Sequence, residues 1–277
     1  MDRIETIDGS VVQHGPHNDR IYLMHLNSKD VGGLLSKLDR LALEKGYGKI
    51  FAKIPTACWN PFRSAGYIRE AIVPDFFRGG FDGLFIAKFF SAKRRQAGCV
   101  EALGQNARRR SKAFRTPRPR PRRPVEVCTQ ADAKQVGEVY RRVFETYPFP
   151  IHRPAHLKEM MEKNTIYYCI RVDHRIAAVA AAEIDSVNRS CEMTDFATLP
   201  EHRGTGFAGM LLAQLDQKTR RLGLRTAYTI ARADSTGMNR VFEKKGYRFA
   251  GRLVKNSQIG GRIRSMMVWY KHLVPPD

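Results

Sequence analysis

The chain has 277 residues, 43% of them hydrophobic, which is enough to bury one large core or two medium ones and excludes a disordered chain. Its net charge of +21 is uneven, because residues 93–124 alone carry 12 basic side chains and one acidic side chain. The opening MDRIETIDGS has no apolar stretch and the run IAAVAAA at 176–182 is far shorter than the roughly 20 residues that span a bilayer, so we expect no signal peptide and no membrane partner.

The cysteines and histidines give no sign of a metal or disulfide site. Five cysteines, an odd number, share no CxxC spacing, which argues against a disulfide framework or a zinc site and fits a reducing cytoplasm. His152 and His156 are four residues apart, but Pro154 lies between them and no third ligand is evident. We therefore expect a cytoplasmic protein with no metal.

The first predicted elements form a strand, a helix, a strand and a helix within residues 20–68. They look like a damaged copy of a later segment: HLNSKD (25–30) matches TLPEHR (198–203), and FRSAGYI (62–68) matches FEKKGYR (242–248). The alternative is a chance match between two strand-helix-strand patterns. The early copy keeps only Gly32 and Gly33 of a later glycine-rich loop, so we expect no phosphate chemistry there. We predict a smaller N-terminal domain over residues 1–96.

The basic segment follows, and it is predicted to be a linker over residues 97–124. Its alternation of proline and arginine from Thr116 to Pro124 suits neither a helix nor a strand interior, and like charges extend it. A sharper hypothesis makes it an arm that binds nucleic acid or an acidic partner. Only Phe114 is interleaved with the charges, so a base-stacking platform is not indicated and nucleic acid is not the favoured partner.

The third region, residues 125–277, alternates helices with strands. Amphipathic helices are predicted at 129–144 and 154–164, followed by three strands that end in CEMTDFATL, residues 191–199. A helix over 207–223, a strand, a helix that ends at Gly246 and two late strands complete the order α-α-β-β-β-α-β-α-β-β. The strands alternate polar and apolar residues, as in a mixed or antiparallel sheet.

The stretch PEHRGTGFAG, residues 200–209, joins the third of these strands to a helix. Backbone N–H groups and the helix dipole make such a junction an anion site, and glycine allows close approach of a phosphate. Gly204, Gly206 and Gly209 also match the dinucleotide fingerprint GxGxxG. No strand ending in an acid follows about 20 residues later to bind a ribose, which argues against a nicotinamide cofactor. The absence of GK[ST] excludes a P-loop.

These residues resemble the GNAT acetyltransferases over about 125–272, through PEHRGTGFAGMLL and MNRVFEKKGYRFAG. The resemblance implies an α/β (α+β) fold with a GNAT-type mixed, mostly antiparallel sheet flanked by helices. In that family Q/R-x-x-G-x-G/A binds the pyrophosphate of acetyl-CoA, and here Glu201 departs from its first position. The resemblance implies acetyl-CoA contacts at Ala197, Thr198, Leu199, Arg203, Gly204, Thr205, Gly206, Phe207, Ala208, Asn239 and Phe242.

A narrower resemblance links VPDFFRGGFDGLFIAKFFS (73–91), VFETYPFPIH (143–152) and EMTDFATLPEHRGTG (192–206) to the β-lysine N-acetyltransferases. It implies acetylation of the side-chain amine of 3,6-diaminohexanoate. It also implies a lysine 2,3-aminomutase as pathway partner and a compatible solute as product. Another acceptor, such as lysine, a polyamine or a protein lysine, stays open, and no oligomeric state is predicted.

The resemblance places the catalytic base at Glu192, with Asp195 as the second choice. By strand alternation Asp195 lies on the opposite face unless a bulge intervenes, and either acid could simply pair with a basic neighbour. Tyr147 and Phe149 are predicted to line the acceptor channel, although a hydrophobic plug over the core would explain them too. Glu183 and Asp185 are predicted to bind the ammonium groups of a diamine, although a solvated acid at a strand end is the favoured interpretation of Asp185.

Two residues of the MNRVFEKKGYRFAG segment, Phe242 and Asn239, have roles that the resemblance does not settle. Phe242 stands where the family often has a tyrosine acid, and it cannot donate a proton, so the acid that protonates the leaving thiolate is undetermined. Asn239 matches the asparagine that contacts the pantetheine arm, and a helix cap is the alternative.

Overall fold

The computed structural model describes residues 2–78, 80–96 and 123–274 of the chain. Its strands are β1 (Arg3–Ile7), β2 (Ser10–Gly15), β3 (Arg20–His25), β4 (Lys49–Pro55), β5 (Ile68–Phe77), β6 (Phe81–Phe89), β7 (Glu126–Val127), β8 (Thr165–Val172), β9 (Arg175–Asp185), β10 (Ser190–Thr198), β11 (Thr226–Arg232), β12 (Arg248–Ile259) and β13 (Arg262–His272). Its α-helices are α1 (Val31–Lys45), α2 (Trp59–Ser64), α3 (Ala92–Arg95), α4 (Ala133–Val143), α5 (Pro154–Lys163), α6 (Phe207–Arg221) and α7 (Thr236–Lys244). The predicted linker lies outside the described residues except at positions 123 and 124.

The described strands form one sheet of 13 strands, in the order β1-β2-β3-β4-β6-β5-β12-β13-β11-β10-β9-β8-β7. Two of its pairs, β3 with β4 and β10 with β11, are parallel, and the other pairs are antiparallel. The prediction of a mixed, mostly antiparallel sheet with flanking helices is therefore confirmed. The hairpin of β5 and β6 was not among the predicted elements.

The two halves of the sheet repeat one connectivity. The order β3-β4-β6-β5 in the first half matches β10-β11-β13-β12 in the second, and each series begins with a parallel pair around a helix, α1 or α6. The halves meet where β5 pairs with β12 at Ala71 and Gly251. This order is the one expected of a degenerate internal repeat.

Strand β9 explains the long alanine-rich run of the sequence. Alternate residues of β9 contribute to two different cores: Ala178, Ala180 and Ala182 pack on the face with α6, whereas Val179 and Ala181 pack on the face with α4. Both faces are covered, so every residue from Ile176 to Ala182 is buried. Of the helices in the described ranges, none is long and apolar enough to cross a membrane.

The helix that connects the parallel strand pair begins differently in the two halves. In α1 the side chain of Asp30 caps the helix and accepts a hydrogen bond from the Gly33 amide at 2.9 Å. In α6 the N-cap is Gly206, with a φ of 89° and no side chain to cap the amides. A carboxylate thus occupies the helix start in the N-terminal half, whereas the start in the C-terminal half is left for another acceptor.

Candidate active site

The glycine loop leaves the start of α6 open. Gly204 and Gly206 have positive φ angles of 75° and 89°, and a Cβ added at either would meet no atom within 4 Å. The first amides of a helix have no intrahelical acceptor, and the macrodipole adds positive potential. The Arg203 amide donates to the Pro200 carbonyl at 3.2 Å, so Arg203 would contribute its guanidinium and not its backbone to an anion.

Glu201 does not point into this loop. It lies in a 3₁₀ turn, Pro200–His202, and its exposed carboxylate accepts a hydrogen bond from Arg142 of α4 at 3.1 Å. Thr205 closes the turn, since its hydroxyl donates to the His202 carbonyl at 2.6 Å. The acid in the first motif position therefore ties the loop to α4 and leaves the helix start without a competing charge.

The parallel strands β10 and β11 separate just before the loop. Their pairing runs from Ser190–Thr226 to Glu192–Tyr228, whereas β10 continues to Thr198 and β11 to Arg232. The separation gives β10 an edge that leads from Glu192 to the start of α6. Ala197 and Leu199 have buried side chains, so only their backbone groups are available to a ligand, and Thr198 is partly buried between them.

A β-bulge shapes the same part of β10. The register against β9 slips between Thr194 and Ala197, and Asp195 adopts a left-handed φ of 56°. In a regular strand the side chains of Glu192 and Asp195 would point to opposite faces of the sheet. The bulge breaks this alternation. Asp195 accepts a hydrogen bond from the Tyr147 hydroxyl at 2.7 Å, which joins the loop after α4 to the site.

The carboxyl of Glu192 is removed from water, and its pKa lies well above the ordinary value for a glutamate. Burial raises the pKa of its carboxyl from 4.5 to about 7, while the charge of Lys53 and a hydrogen bond from Tyr228 counteract that rise. The Tyr228 hydroxyl donates to Glu192 Oε2 at 2.8 Å. A carboxylate with this pKa accepts and releases protons near neutral pH.

Two further acids surround it. Burial also raises the pKa of Asp195, to about 6, and the hydrogen bonds from Tyr147 and Thr194 counteract it. Glu183 of β9 lies directly across the strand pair from Glu192, and its charge raises the pKa of both carboxyls. Asp185 instead caps a turn by accepting from the Asn188 amide at 3.0 Å.

The N-terminal half contributes a residue that the sequence did not point to. Lys53 of β4 donates to the Tyr228 hydroxyl at 3.0 Å, and its ammonium lies 5.6 Å from the ring centre of Tyr22 and 5.3 Å from that of Tyr228. Lys53, Tyr228 and Glu192 therefore form one hydrogen-bonded chain across the two halves. No motif marks Lys53, because its partner Tyr228 is 175 positions away.

The remaining predicted positions are mostly structural in this arrangement. The Phe242 side chain is 1% exposed and packs against Phe196 and Tyr247, so a contact between Phe242 and the cofactor stays a prediction. Asn239 lies inside α7, where it donates to the carbonyls of Arg232 and Ser235 and accepts from the Trp269 indole at 2.9 Å. The asparagine therefore ties α7 to β11 and β13 and is not the cap at the start of its helix.

Three predicted side chains pack against the core. Phe149 is partly buried beside the α4 and α5 core, together with Tyr147. Phe207 is 8% exposed, and its amide lies in the first turn of α6, next to that of the partly buried Ala208. Any contact of Phe207 with an anion would thus be through the backbone.

A separated parallel strand pair, an open helix start at its end and acids of raised pKa beside the separation define an acyltransferase site of the GNAT type. The model of the acetyltransferase (GNAT) family matches residues 134–247. The chain is 34% identical over 98% of its length, and 99% of the relative's, to a β-lysine N(6)-acetyltransferase of Methanococcus maripaludis. It therefore belongs to the GNAT family and is an N-acetyltransferase.

Two further relatives match parts of the chain. A β-lysine N(6)-acetyltransferase of Methanosarcina mazei is 34% identical over 66% of this chain and 66% of its own. The N-acetyltransferase YodP of Bacillus subtilis is 38% identical over 51% of this chain and 52% of its own.

Proposed function

We propose that the protein transfers an acetyl group from acetyl-CoA to the side-chain amine of β-lysine, 3,6-diaminohexanoate. The observation that carries the proposal is the 34% identity to an enzyme of that name over nearly the whole of both chains. The proposal also implies that an enzyme of the lysine 2,3-aminomutase type supplies the acceptor. Residues 1–96 and 125–277 would act as two domains of one cytoplasmic enzyme.

The open helix start fits the pyrophosphate of acetyl-CoA. Gly204 and Gly206 leave room for the backbone to approach a phosphate, Arg203 adds a charge, and the first amides of α6 supply donors. The edge of β10 from Ala197 to Leu199 would bind the pantetheine arm through its backbone. Acetyl-CoA, when bound, supplies a thioester that an unprotonated amine can attack.

Glu192 is the proposed general base. The acceptor amine, with a pKa of about 10.4, is mostly protonated at neutral pH and cannot attack until it loses a proton. Glu192, with a pKa raised to about 7, takes that proton directly or through one water, and Tyr228 orients its carboxylate.

Direct attack by the amine is proposed because the nearest cysteine is unsuited to carry the acetyl group. Cys191 precedes Glu192 in β10, but its side chain is 0% exposed and burial raises the pKa of its thiol. Neutral buried thiols are poor nucleophiles. A ternary complex of enzyme, acetyl-CoA and amine then accounts for the reaction.

The acidic cluster of Glu183, Glu192 and Asp195 favours an acceptor with more than one ammonium group. Each carboxyl faces the charge of another, so their mutual repulsion is relieved when a dication binds. Tyr147 is bonded to Asp195 of the cluster, and Tyr147 and Phe149 would contact the aliphatic chain of the acceptor.

A panel of amines tests this function. The full-length protein is incubated with acetyl-CoA and β-lysine, α-lysine, spermidine or a lysine-containing peptide, and free thiol and product mass are followed. We expect the highest kcat/KM with β-lysine and acetylation at its terminal amine. Higher kcat/KM with any other amine would refute the proposed acceptor, and no turnover from folded protein would refute the reaction.

A further inference from the structure

The two lysines of β4, Lys49 and Lys53, have different bonding partners. Lys49 is fully buried, and its ammonium is bonded to the Glu70 carboxylate at 2.8 Å and to the Val254 carbonyl at 2.8 Å. This is the usual arrangement of a buried lysine, whose charge needs a counter-ion close by. Lys49 thus serves the junction of the two halves.

Lys53, four residues further along β4, has aromatic partners instead. Its ammonium donates to the Tyr228 hydroxyl at 3.0 Å and lies near the rings of Tyr22 and Tyr228. Within the described residues no carboxylate pairs directly with it, and the nearest acid of the site, Glu192, is reached through the Tyr228 hydroxyl. The lysine is only partly buried.

We propose that Lys53 binds the carboxylate of the acceptor, so that the N-terminal half makes the active site selective for an amino acid over a plain diamine. This inference rests on the proposed function. It concerns a part of the acceptor that neither the base nor the acidic cluster recognises.

The charges of the site match those of such an acceptor. β-Lysine carries two ammonium groups and one carboxylate, and the site presents three acids, Glu183, Glu192 and Asp195, together with the single cation of Lys53. A diamine would leave Lys53 with no carboxylate bonded to it directly, since Glu192 is reached only through the Tyr228 hydroxyl. A charged hydrogen bond of this kind is lost when the acceptor lacks its carboxylate.

The distances allow one acceptor to reach both ends. Because the Tyr228 hydroxyl is 3.0 Å from Lys53 Nζ and 2.8 Å from Glu192 Oε2, the two charged groups cannot be farther apart than the sum of those distances. The acceptor amine would lie at Glu192, and its carboxylate at Lys53 on the N-terminal side of Tyr228. The five-carbon chain between these groups spans such a gap in a bent or an extended form.

The test compares acceptors that differ only by the carboxylate. β-Lysine is paired with 1,4-diaminopentane, and α-lysine with 1,5-diaminopentane, in steady-state assays of full-length wild type, Lys53→Met, Lys53→Arg and the exposed-site control Lys29→Met. In Lys53→Met we expect kcat/KM for the amino acid to fall about 10- to 100-fold, mainly through KM. The value for its diamine should fall less, because the diamine loses only the effect of the Lys53 charge on the pKa of Glu192, which both acceptors share.

The controls separate a lost contact from a damaged fold. Lys53→Arg keeps the charge and should restore part of the discrimination, while Lys29→Met should behave as wild type. An equal fall for both members of a pair would overturn the inference, since Lys53 would then act through Glu192 alone. Unchanged discrimination in Lys53→Met would overturn it as well.

The paired acceptors also distinguish failure of this inference from failure of the proposed function. If α-lysine is the better acceptor and Lys53→Met removes its advantage over 1,5-diaminopentane, the proposed acceptor is wrong and the role of Lys53 stands. If β-lysine is the acceptor and the variant lowers both members of each pair alike, the function stands and the role of Lys53 is wrong.

Discussion

Tyr228 donates its phenolic hydrogen to Glu192 across the last paired position of β10 and β11, at 2.8 Å. The two Cα atoms are register partners, so the pairing of the strands fixes both side chains at the point where the strands begin to separate. Beyond this position the edge of β10 leads to the open start of α6. The proposed base is thus positioned by the same strand pair whose separation would admit the thioester arm.

Replacing Glu192 by glutamine is expected to lower kcat by about 100- to 10,000-fold at pH 7, because the general base is lost. The KM for acetyl-CoA should change little, since Glu192 is not part of the glycine loop. Steady-state kinetics with both substrates varied measures the two effects separately. A variant that loses acetyl-CoA affinity and keeps kcat would show that Glu192 is not the base.

The pH dependence follows from the raised pKa of Glu192. A base acts in its deprotonated form, so activity is expected to be low below pH 6 and to rise through the pKa of about 7. Tyr228→Phe removes a hydrogen bond that holds this pKa down, so the rise in kcat should move to higher pH. Plots of kcat against pH for wild type and Tyr228→Phe test the direction of this shift. A shift to lower pH in the variant would contradict the assignment of Glu192 as the base.

Gly204→Val is expected to raise the KM for acetyl-CoA at least tenfold, because a side chain would enter the space above the loop at a φ of 75°. Gly209→Ala is the matched control in the same helix start. A Cβ there would meet only the flexible end of Lys245, at 3.6 Å, so KM should not change and α6 should gain about 0.5–1 kcal/mol. Titration with acetyl-CoA distinguishes them, and equal KM values would place the anion site elsewhere.

The junction of the two halves depends on Gly251. A Cβ on Gly251, whose φ is 153°, would lie 2.6 Å from the Ala71 Cα of β5, where backbone atoms cannot move aside cheaply. Gly251→Ala should therefore destabilise the protein by about 1–3 kcal/mol. Gly237→Ala, where a Cβ meets nothing within 4 Å, is the control. Denaturant unfolding measures both, and equal stabilities would mean that the junction tolerates a side chain.

The basic segment is expected to be dispensable for acetyl transfer. Replacing residues 97–122 by a neutral Gly/Ser sequence of the same length should leave kcat/KM for the amine within about twofold, because such a chain is a flexible spacer. If the unmodified protein binds nucleic acid, its affinity should fall steeply as the salt concentration rises. The Gly/Ser variant should not bind nucleic acid. Fluorescence anisotropy and the acetylation assay are run on both proteins. A large loss of turnover would give the segment a catalytic role.

Local patterns were enough to predict the elements of the C-terminal half. The apolar spacing of Val136, Val139 and Tyr140 predicted α4, and these residues are buried. The glycines at 204 and 206 predicted a turn before a helix, and both have positive φ. The hairpin of β5 and β6 was missed, since its hydrophobic residues face two cores and give no simple alternation.

The site itself was only partly predictable. The sequence indicated Glu192 and Tyr147, but the role of Phe242 followed the position of a motif, and its side chain is enclosed by Phe196 and Tyr247. Asp195 depended on whether a bulge was present, which strand alternation alone does not reveal. The bulge brings it to Tyr147.

The order of the helices and strands from residue 129 onward, the glycine loop and the family follow from the sequence alone, because these depend on short-range periodicity and on motifs of adjacent residues. Which distant side chains share the site depends on the packing of the whole chain. Lys53 meets Tyr228 although four strands lie between β4 and β11 in the sheet order. The two halves of the sheet pack against each other, so that Phe51 of β4 and Tyr228 of β11 share one hydrophobic core. The raised pKa values have the same origin, since they are caused by burial, which is a property of the packed sheet and not of any local stretch of the chain.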